Sequence, residues 1–147
     1  MKLIKGSQDE IFQEILPQFV TLCKNERGLN VMKKMIAELK DIESRLAIIE
    51  IVKQNGRLFI ENYYCNYAIQ LIVQIWPSDI TVDIFKLICG KIMAYSLEKS
   101  ASNVIETMII YSTPPIQKLY FDEISSLPNV HGTIITQSFC KTIMATM

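Results

Sequence analysis

The stretch Lys99-Ser100-Ala101-Ser102-Asn103-Val104-Ile105-Glu106 decides how the chain is read, because a related one, Tyr64-Cys65-Asn66-Tyr67-Ala68-Ile69-Gln70, stands upstream of it. In each, a small residue is followed by a polar residue, a flat or amide side chain, two aliphatics and then Gln or Glu. On a helix, residues i and i+4 lie one turn apart on one face. Asn66 and Gln70 then point the same way, as do Ser102 and Glu106, with Tyr67 and Asn103 beside them. The aliphatic pairs Ala68/Ile69 and Val104/Ile105 turn inward.

Outward from these two stretches, the small residue that opens each candidate helix recurs at Gly28, Cys65, Ala101 and Gly132, at intervals of 37, 36 and 31 residues. Three positions before each stands a polar residue: Asn25, Asn62, Glu98 and Asn129. A period of this size marks stacked helical units, none of which buries its apolar face alone. Helix formers dominate, Gly and Pro number five each, and no stretch alternates strictly, so the expected class is all-α. Two polar groups able to reach one base edge, beside a group able to stack, suit a reader of single-stranded nucleic acid that takes one base per repeat.

The same punctuation divides the chain. Residues 9–16 read as the amphipathic end of a preceding repeat, 17–54 as repeat A, 55–89 as repeat B, 90–125 as repeat C and 126–147 as a truncated repeat D. In repeat A an inner helix runs from Arg27 to Leu39 with Val31, Met32, Met35 and Ile36 as its core stripe. Asp41 N-caps the next helix and Asn55-Gly56 closes it. Tyr64 to Trp76 is the second inner helix, with Trp76 plugging the core between repeats, and Pro77-Ser78-Asp79 breaks and recaps. Ile80, Ile84, Phe85 and Ile88 continue the core, and Gly90 ends that helix. Ser100 to Tyr111 is the third inner helix. Ser112-Thr113-Pro114-Pro115 restarts the chain before a helix carrying Leu119, Tyr120, Phe121 and Ile124. His131 to Ala145 is the fourth inner helix. Both ends look cut, which implies part of a longer array or self-association through uncapped ends.

Composition excludes several classes. Fifteen basic residues balance fifteen acidic ones, where a nucleic-acid binder commonly carries a basic excess, although a basic concave face can be offset by an acidic convex one. Cys23, Cys65, Cys89 and Cys140 form no CxxC pair, and with His131 as the one histidine they argue against a zinc site; they read as buried thiols in a reducing compartment. Met1-Lys2-Leu3-Ile4-Lys5-Gly6 lacks the apolar core of a signal peptide, and no run of about 18 apolar residues suggests a membrane span. There is no Gly-rich phosphate loop, no acid/base carboxylate pair and no nucleophile–histidine dyad, so an enzyme is disfavoured and no cofactor is expected.

The anchor segments resemble the RNA-binding repeats of the PUF (Pumilio homology) family. Asn62-Tyr63-Tyr64-Cys65-Asn66-Tyr67-Ala68-Ile69-Gln70 is close to that family's Asp-x-Tyr-Gly-Asn-Tyr-Val-Ile-Gln, with Cys for Gly and Asn for Asp. Lys99 to Glu106 is close to its Lys-Phe-Ala-Ser-Asn-Val-Val-Glu. The order matches repeats six and seven of eight, so the chain resembles roughly repeats five to eight. The resemblance implies a right-handed α-solenoid of about four three-helix repeats, with inner helices lining a concave face and single-stranded RNA running antiparallel to the protein. It implies that Asn66 and Gln70 contact a uracil edge with Tyr67 stacking, and that Ser102 and Glu106 read guanine with Asn103 packed between bases. The chemistry agrees: a carboxylate is acceptor-only and suits the N1–H and N2–H donors of guanine, while an amide offers the donor and acceptor that uracil requires. The implied core is 5′-G-U-3′, the end of a UGU triplet. The flanking repeats depart from the pattern. The corresponding positions are Leu29, Asn30 and Lys33 in repeat A, and Thr133, Ile134 and Gln137 in repeat D, where Thr133 and Gln137 face the base edge. Arg27, Lys33 and Lys99 are the candidates for phosphate contact.

Three functions follow as expectations. The first is sequence-specific binding of single-stranded mRNA in cytoplasmic post-transcriptional regulation, with protein co-repressors as further partners. The second is a degenerate helical-repeat scaffold that binds proteins. The third is a nucleolar ribosome-biogenesis factor that binds nucleic acid without sequence preference, whose mark is salt-sensitive, sequence-blind binding.

Overall fold

A computed structural model describes residues 5–126. The described residues form α1 (Lys5–Ile15), α2 (Phe19–Cys23), α3 (Glu26–Glu38), α4 (Ile42–Gln54), α5 (Gly56–Glu61), α6 (Cys65–Ile75), α7 (Ser78–Phe85), α8 (Ile92–Ser96), α9 (Lys99–Tyr111) and α10 (Pro114–Ser125). Each repeat is a short helix, an inner helix and an outer helix: α2–α3–α4, α5–α6–α7 and α8–α9–α10. The inner helices stack in chain order, α6 packing on both α3 and α9, and the outer helix α4 packs on α7. The helix expected over 131–145, with Thr133, Ile134, Gln137 and Cys140, lies outside the described residues.

The residues that set the period also start the inner helices. Asn25 Oδ1 accepts from the Gly28 N–H at 2.8 Å, and Asn62 Oδ1 accepts from the N–H groups of Tyr64 and Cys65, both at 3.0 Å. Such caps satisfy donors that a helix N-terminus otherwise leaves unpaired. Glu98 makes no such side-chain bond at α9. The small residue is a steric requirement. A Cβ on Gly28 would stand 2.2 Å from the Leu22 carbonyl oxygen, so the start of α3 sits directly against the end of α2. Cys65 and Ala101 at the matching positions are fully buried.

The core runs continuously through the stack. Met32 and Ile36 of α3, Ala68, Ile69 and Ile72 of α6, and Val104 and Met108 of α9 are all buried in one cluster, with α6 packed on both α3 and α9. Phe19 and Phe59 stack at 5.9 Å between the short helices of repeats A and B. Trp76 is buried as expected; its indole N–H donates to the Ile36 carbonyl at 3.1 Å, and the Arg45 guanidinium lies 5.4 Å from its ring. Tyr120 is fully buried and its hydroxyl donates to the Phe85 carbonyl at 2.6 Å. The Glu123 carboxylate accepts from the N–H groups of Gly90 and Ile92, closing α10 onto the start of α8.

Several local expectations are corrected. Val31 is exposed, and the buried stripe of α3 is Leu29, Met32 and Ile36 with Met35 half-buried; at about 100° per residue, Val31 falls on the side opposite Leu29. Gly56 does not cap α4 with a left-handed backbone. It opens α5, and α4 ends instead through the Asn55 side chain, whose amide donates to the Ile51 carbonyl at 2.8 Å. Gly90 does take the left-handed region, with φ of +86°, but α7 has already given way to a 3₁₀ turn over Lys86–Ile88. Leu119 and Phe121 are exposed because Tyr120 and Ile124, one turn apart, form the inward face of α10. Asp41 caps α4 as expected, its carboxylate accepting from the Ser44 N–H at 3.0 Å.

Burial pushes the Cys23 thiol up to about 12 and the Cys65 thiol up to about 11, with the neighbouring Cys65 adding to the effect on Cys23. The Tyr120 phenol is raised by burial as well. In the unfolded chain a thiol ionises near 8.5, so above that pH the unfolded state binds fewer protons than the folded one. Stability is therefore full below about pH 8.5 and is lost as pH rises toward the folded-state values. The urea midpoint is expected to fall between pH 8 and pH 10.5, and to fall less steeply in Cys23→Ala. Gly28→Ala is expected to cost about 1–3 kcal/mol by overpacking against backbone. Gly56→Ala is expected to cost less, because its nearest neighbour is the flexible Leu87 side chain at 3.2 Å; urea denaturation of the two variants ranks them.

Candidate nucleic-acid interface

Positions on α3, α6 and α9 can be counted from the buried anchors Gly28, Cys65 and Ala101. Two residues past each anchor stand Asn30, Tyr67 and Asn103, all exposed. Five past each anchor stand Lys33 and Gln70, half-exposed, and Glu106, exposed. One past each anchor stand Leu29 and Asn66, both buried, and Ser102, half-buried. Tyr67 and Asn103 thus occupy one exposed column, with Gln70 and Glu106 one turn away.

On α6 the polar groups are bonded to one another. The Asn66 amide nitrogen donates to the carbonyls of Asn62 at 2.8 Å and Tyr63 at 2.6 Å. Its Oδ1 accepts from Gln70 Nε2 at 2.9 Å. Gln70 Oε1 in turn accepts from the Thr107 hydroxyl of α9 at 2.8 Å. Asn66 is only 2 % exposed, so it stands behind Gln70 and not beside it. A primary amide has two N–H donors and an oxygen with two lone pairs. Gln70 therefore keeps one N–H and one lone pair for a further partner.

On α9 the Ser102 hydroxyl donates to the Lys99 carbonyl at 2.9 Å, and Asn103 Nδ2 donates to the same oxygen at 3.3 Å. Among the described residues no cation pairs with Glu106, which leaves its carboxylate as an acceptor-only group on the surface. Arg27 and Lys99 are exposed in the first turns of α3 and α9. Lys33 is set apart from them: it lines a cleft of about 300 Å³ between α3 and α6 together with Glu26, Leu29, Asn30, Tyr63, Tyr64 and Tyr67. Tyr63 and Tyr64 meet edge-on at 4.9 Å in its wall. The cleft therefore places Tyr67, a stacking surface, opposite Asn30 and Lys33 of the preceding repeat.

Sequence reasoning did not single out Thr107, Tyr63, Tyr64 or Glu26. For Thr107 a signal existed: it is a hydroxyl residue on the inward side of a helix that otherwise buries Val104, Ile105, Met108 and Ile109. The cleft had none, since its wall joins residues far apart in the chain.

No family model matches the chain. The putative pumilio homolog 17 of Arabidopsis thaliana is 26% identical over 100 residues, which are 67% of this chain and 30% of that protein. The Puf4 RNA binding domain, solved bound to the HO endonuclease RNA 3′ UTR recognition sequence, superposes with a TM-score of 0.86 at 14% identity, over 97% of this chain and 45% of its own. PUF-8, solved in complex with PBE-RNA, gives a TM-score of 0.81 at 18% identity, over 95% of this chain and 44% of its own. The chain thus has the α-solenoid fold of the PUF domains, and it spans less than half of each solved chain and about a third of the curated relative.

Asn66→Ala is expected to cost about 1–3 kcal/mol, because the buried Asn66 amide joins the Asn62 and Tyr63 carbonyls to Gln70 and all three bonds are lost. Gln70→Ala, at a half-exposed position that water can reach, is expected to cost less than about 1 kcal/mol; thermal denaturation of the two variants tests this order.

Proposed function

We propose that this chain binds single-stranded RNA in a sequence-specific manner, one base to each inner helix, as part of a longer array that acts in cytoplasmic mRNA regulation. The observation that carries the reading is the exposed column Asn30–Tyr67–Asn103, flanked one turn on by Gln70 and Glu106. Packed helices lie about 8–10 Å apart, whereas stacked bases are separated by about 3.4 Å. A strand that gives one base to each helix must therefore be unstacked, and a side chain such as Tyr67 fills the interval between successive bases.

The edges then follow from donor and acceptor inventory. Glu106, with Ser102 beside it, accepts from the N1–H and N2–H of guanine. Gln70, with Asn66 behind it, offers one donor and one acceptor, the pairing a uracil edge needs. Arg27, Lys33 and Lys99 are the cations placed to meet phosphate. The solved PUF domains bound to RNA support this reading by analogy of fold.

Affinity is modest on this account. A stacked base contributes roughly 1–3 kcal/mol and a bidentate edge contact discriminates by roughly 1–3 kcal/mol. Repeat A adds no comparable edge reader, because the Leu29 side chain has no hydrogen-bonding group and Lys33 is a candidate for phosphate contact. A second reading, a scaffold for protein partners, is favoured by the exposed Ile42 and Leu46 on the outer helix α4.

Fluorescence anisotropy with a short RNA containing UGU, against the same RNA with G changed to A, separates the readings. Wild type is expected to prefer UGU by roughly 5- to 150-fold, the range of a bidentate contact, and Glu106→Ala to abolish the preference. Salt-sensitive binding with no preference would indicate backbone contact alone. Binding of neither RNA at micromolar protein would sink RNA recognition by this chain and leave the scaffold.

A further inference from the structure

The repeat shows which side of an inner helix takes the helix before it. On α6 the positions Tyr64, Ala68, Leu71 and Ile75 advance in steps of four, three and four, and so do Ser100, Val104, Thr107 and Tyr111 on α9. Such steps keep one stripe of a helix turned one way. The stripe faces the preceding inner helix: Tyr64 lines the cleft against α3, and the Thr107 hydroxyl meets Gln70 of α6 at 2.8 Å. Its first three members are buried or half-buried in both repeats, with Ala68 and Val104 at 0 % exposure and Thr107 at 8 %.

On α3 the same stripe is Arg27, Val31, Lys34 and Glu38. All four are exposed, Val31 at 57 %. Among the described residues none of the three charges has an ionic partner. The chemistry differs as well. Where α6 and α9 carry neutral residues throughout, α3 carries a cation, a valine, a cation and a carboxylate. An apolar helix laid on this stripe would strip water from three charges without pairing them. The stripe therefore suits a partner with charges of its own.

It is its own complement. Against a second copy running antiparallel about a two-fold axis, Arg27 of one copy faces Glu38 of the other, Val31 faces Lys34, and each contact occurs twice. Opposite charges meet at both ends. Near the axis each valine lies against the apolar stem of a lysine, and Glu38 of the same helix stands one turn from that lysine's ammonium.

We propose that α3 docks on α3 of a second copy through this stripe, giving a two-fold dimer. Charge complementarity, the exposed Val31 and the covered state of the matching positions on α6 and α9 carry the inference, which does not rest on RNA binding. One helix pair falls short of the roughly 1,200 Å² that stable interfaces bury, so the dimer is a reversible one that forms at micromolar protein or above.

The test is sedimentation equilibrium of the full chain in RNA-free solution, since Arg27 is also a candidate for phosphate contact. Wild type is expected to pass from a 16.9 kDa monomer to a dimer as its concentration rises. Glu38→Arg and Arg27→Glu each set like charges together twice and are expected to weaken the dimer about 3- to 30-fold. The double variant Arg27→Glu/Glu38→Arg swaps the pair and is expected to restore it. Val31→Lys, which sets two cations together near the axis, is expected to abolish it. A wild type that stays monomeric at millimolar protein overturns the proposal, as does growth into open-ended oligomers, which marks end-to-end contact. A dimer indifferent to the single variants, or weakened by them and not restored by the double, overturns the antiparallel pairing on α3.

Discussion

Close approach at the start of α3, with small, fully buried residues at the matching points of α6 and α9, is the constraint on which the rest depends. The backbone of α2 ends so near α3 that a side chain at Gly28 would meet the Leu22 carbonyl oxygen at 2.2 Å. Helices begun that tightly have no latitude in rotation, and rotation decides which residues face out. Asn30, Tyr67 and Asn103 are each exposed two residues after a fully or nearly fully buried small residue, Gly28, Cys65 and Ala101. The caps from Asn25 and Asn62 act at the same place, fixing the first turn by satisfying its donors. Stability and the candidate interface thus share one origin, and the surface column is a consequence of buried geometry.

The repeat, the all-helical class and the division into inner and outer helices were legible in the sequence because they are local. A small residue three positions after a capping residue, with aliphatics behind it, leaves a pattern that can be counted. Rotational detail was less legible. Val31 and Leu29 are both apolar and two residues apart, and composition does not say which one the neighbouring helix covers. Gly56 was misread for a related reason: Asn-Gly favours a left-handed helix end, but here α5 begins at once and the glycine joins it. Trp76 was legible as a core plug, although its acceptor, the Ile36 carbonyl, lies 40 positions away and could be found only in three dimensions.

The candidate site divides in the same way. The residue types at Tyr67, Gln70, Asn103 and Glu106 announce stacking and hydrogen-bonding chemistry. What the pattern could not show is that Asn66 is spent on the main chain of its own helix start, or that Gln70 leans on Thr107. Helical spacing places Asn66 and Gln70 on one face as equals, whereas burial ranks them, one as support and the other as contact. That ranking comes from tertiary packing, which a single helix does not encode.

Two buried ties between repeats end on main-chain atoms. Trp76 donates to the Ile36 carbonyl and Tyr120 to the Phe85 carbonyl, and in both cases the acceptor is present whatever side chain occupies the position. A joint of this kind needs the right donor on one side only. The hydrogen bond itself survives any residue at the partner position, although Ile36 and Phe85 are buried and packing still limits what can stand there. The superposition at a TM-score of 0.86 with 14% identity is in keeping with such one-sided joints: one shape held through backbone contacts under different side chains.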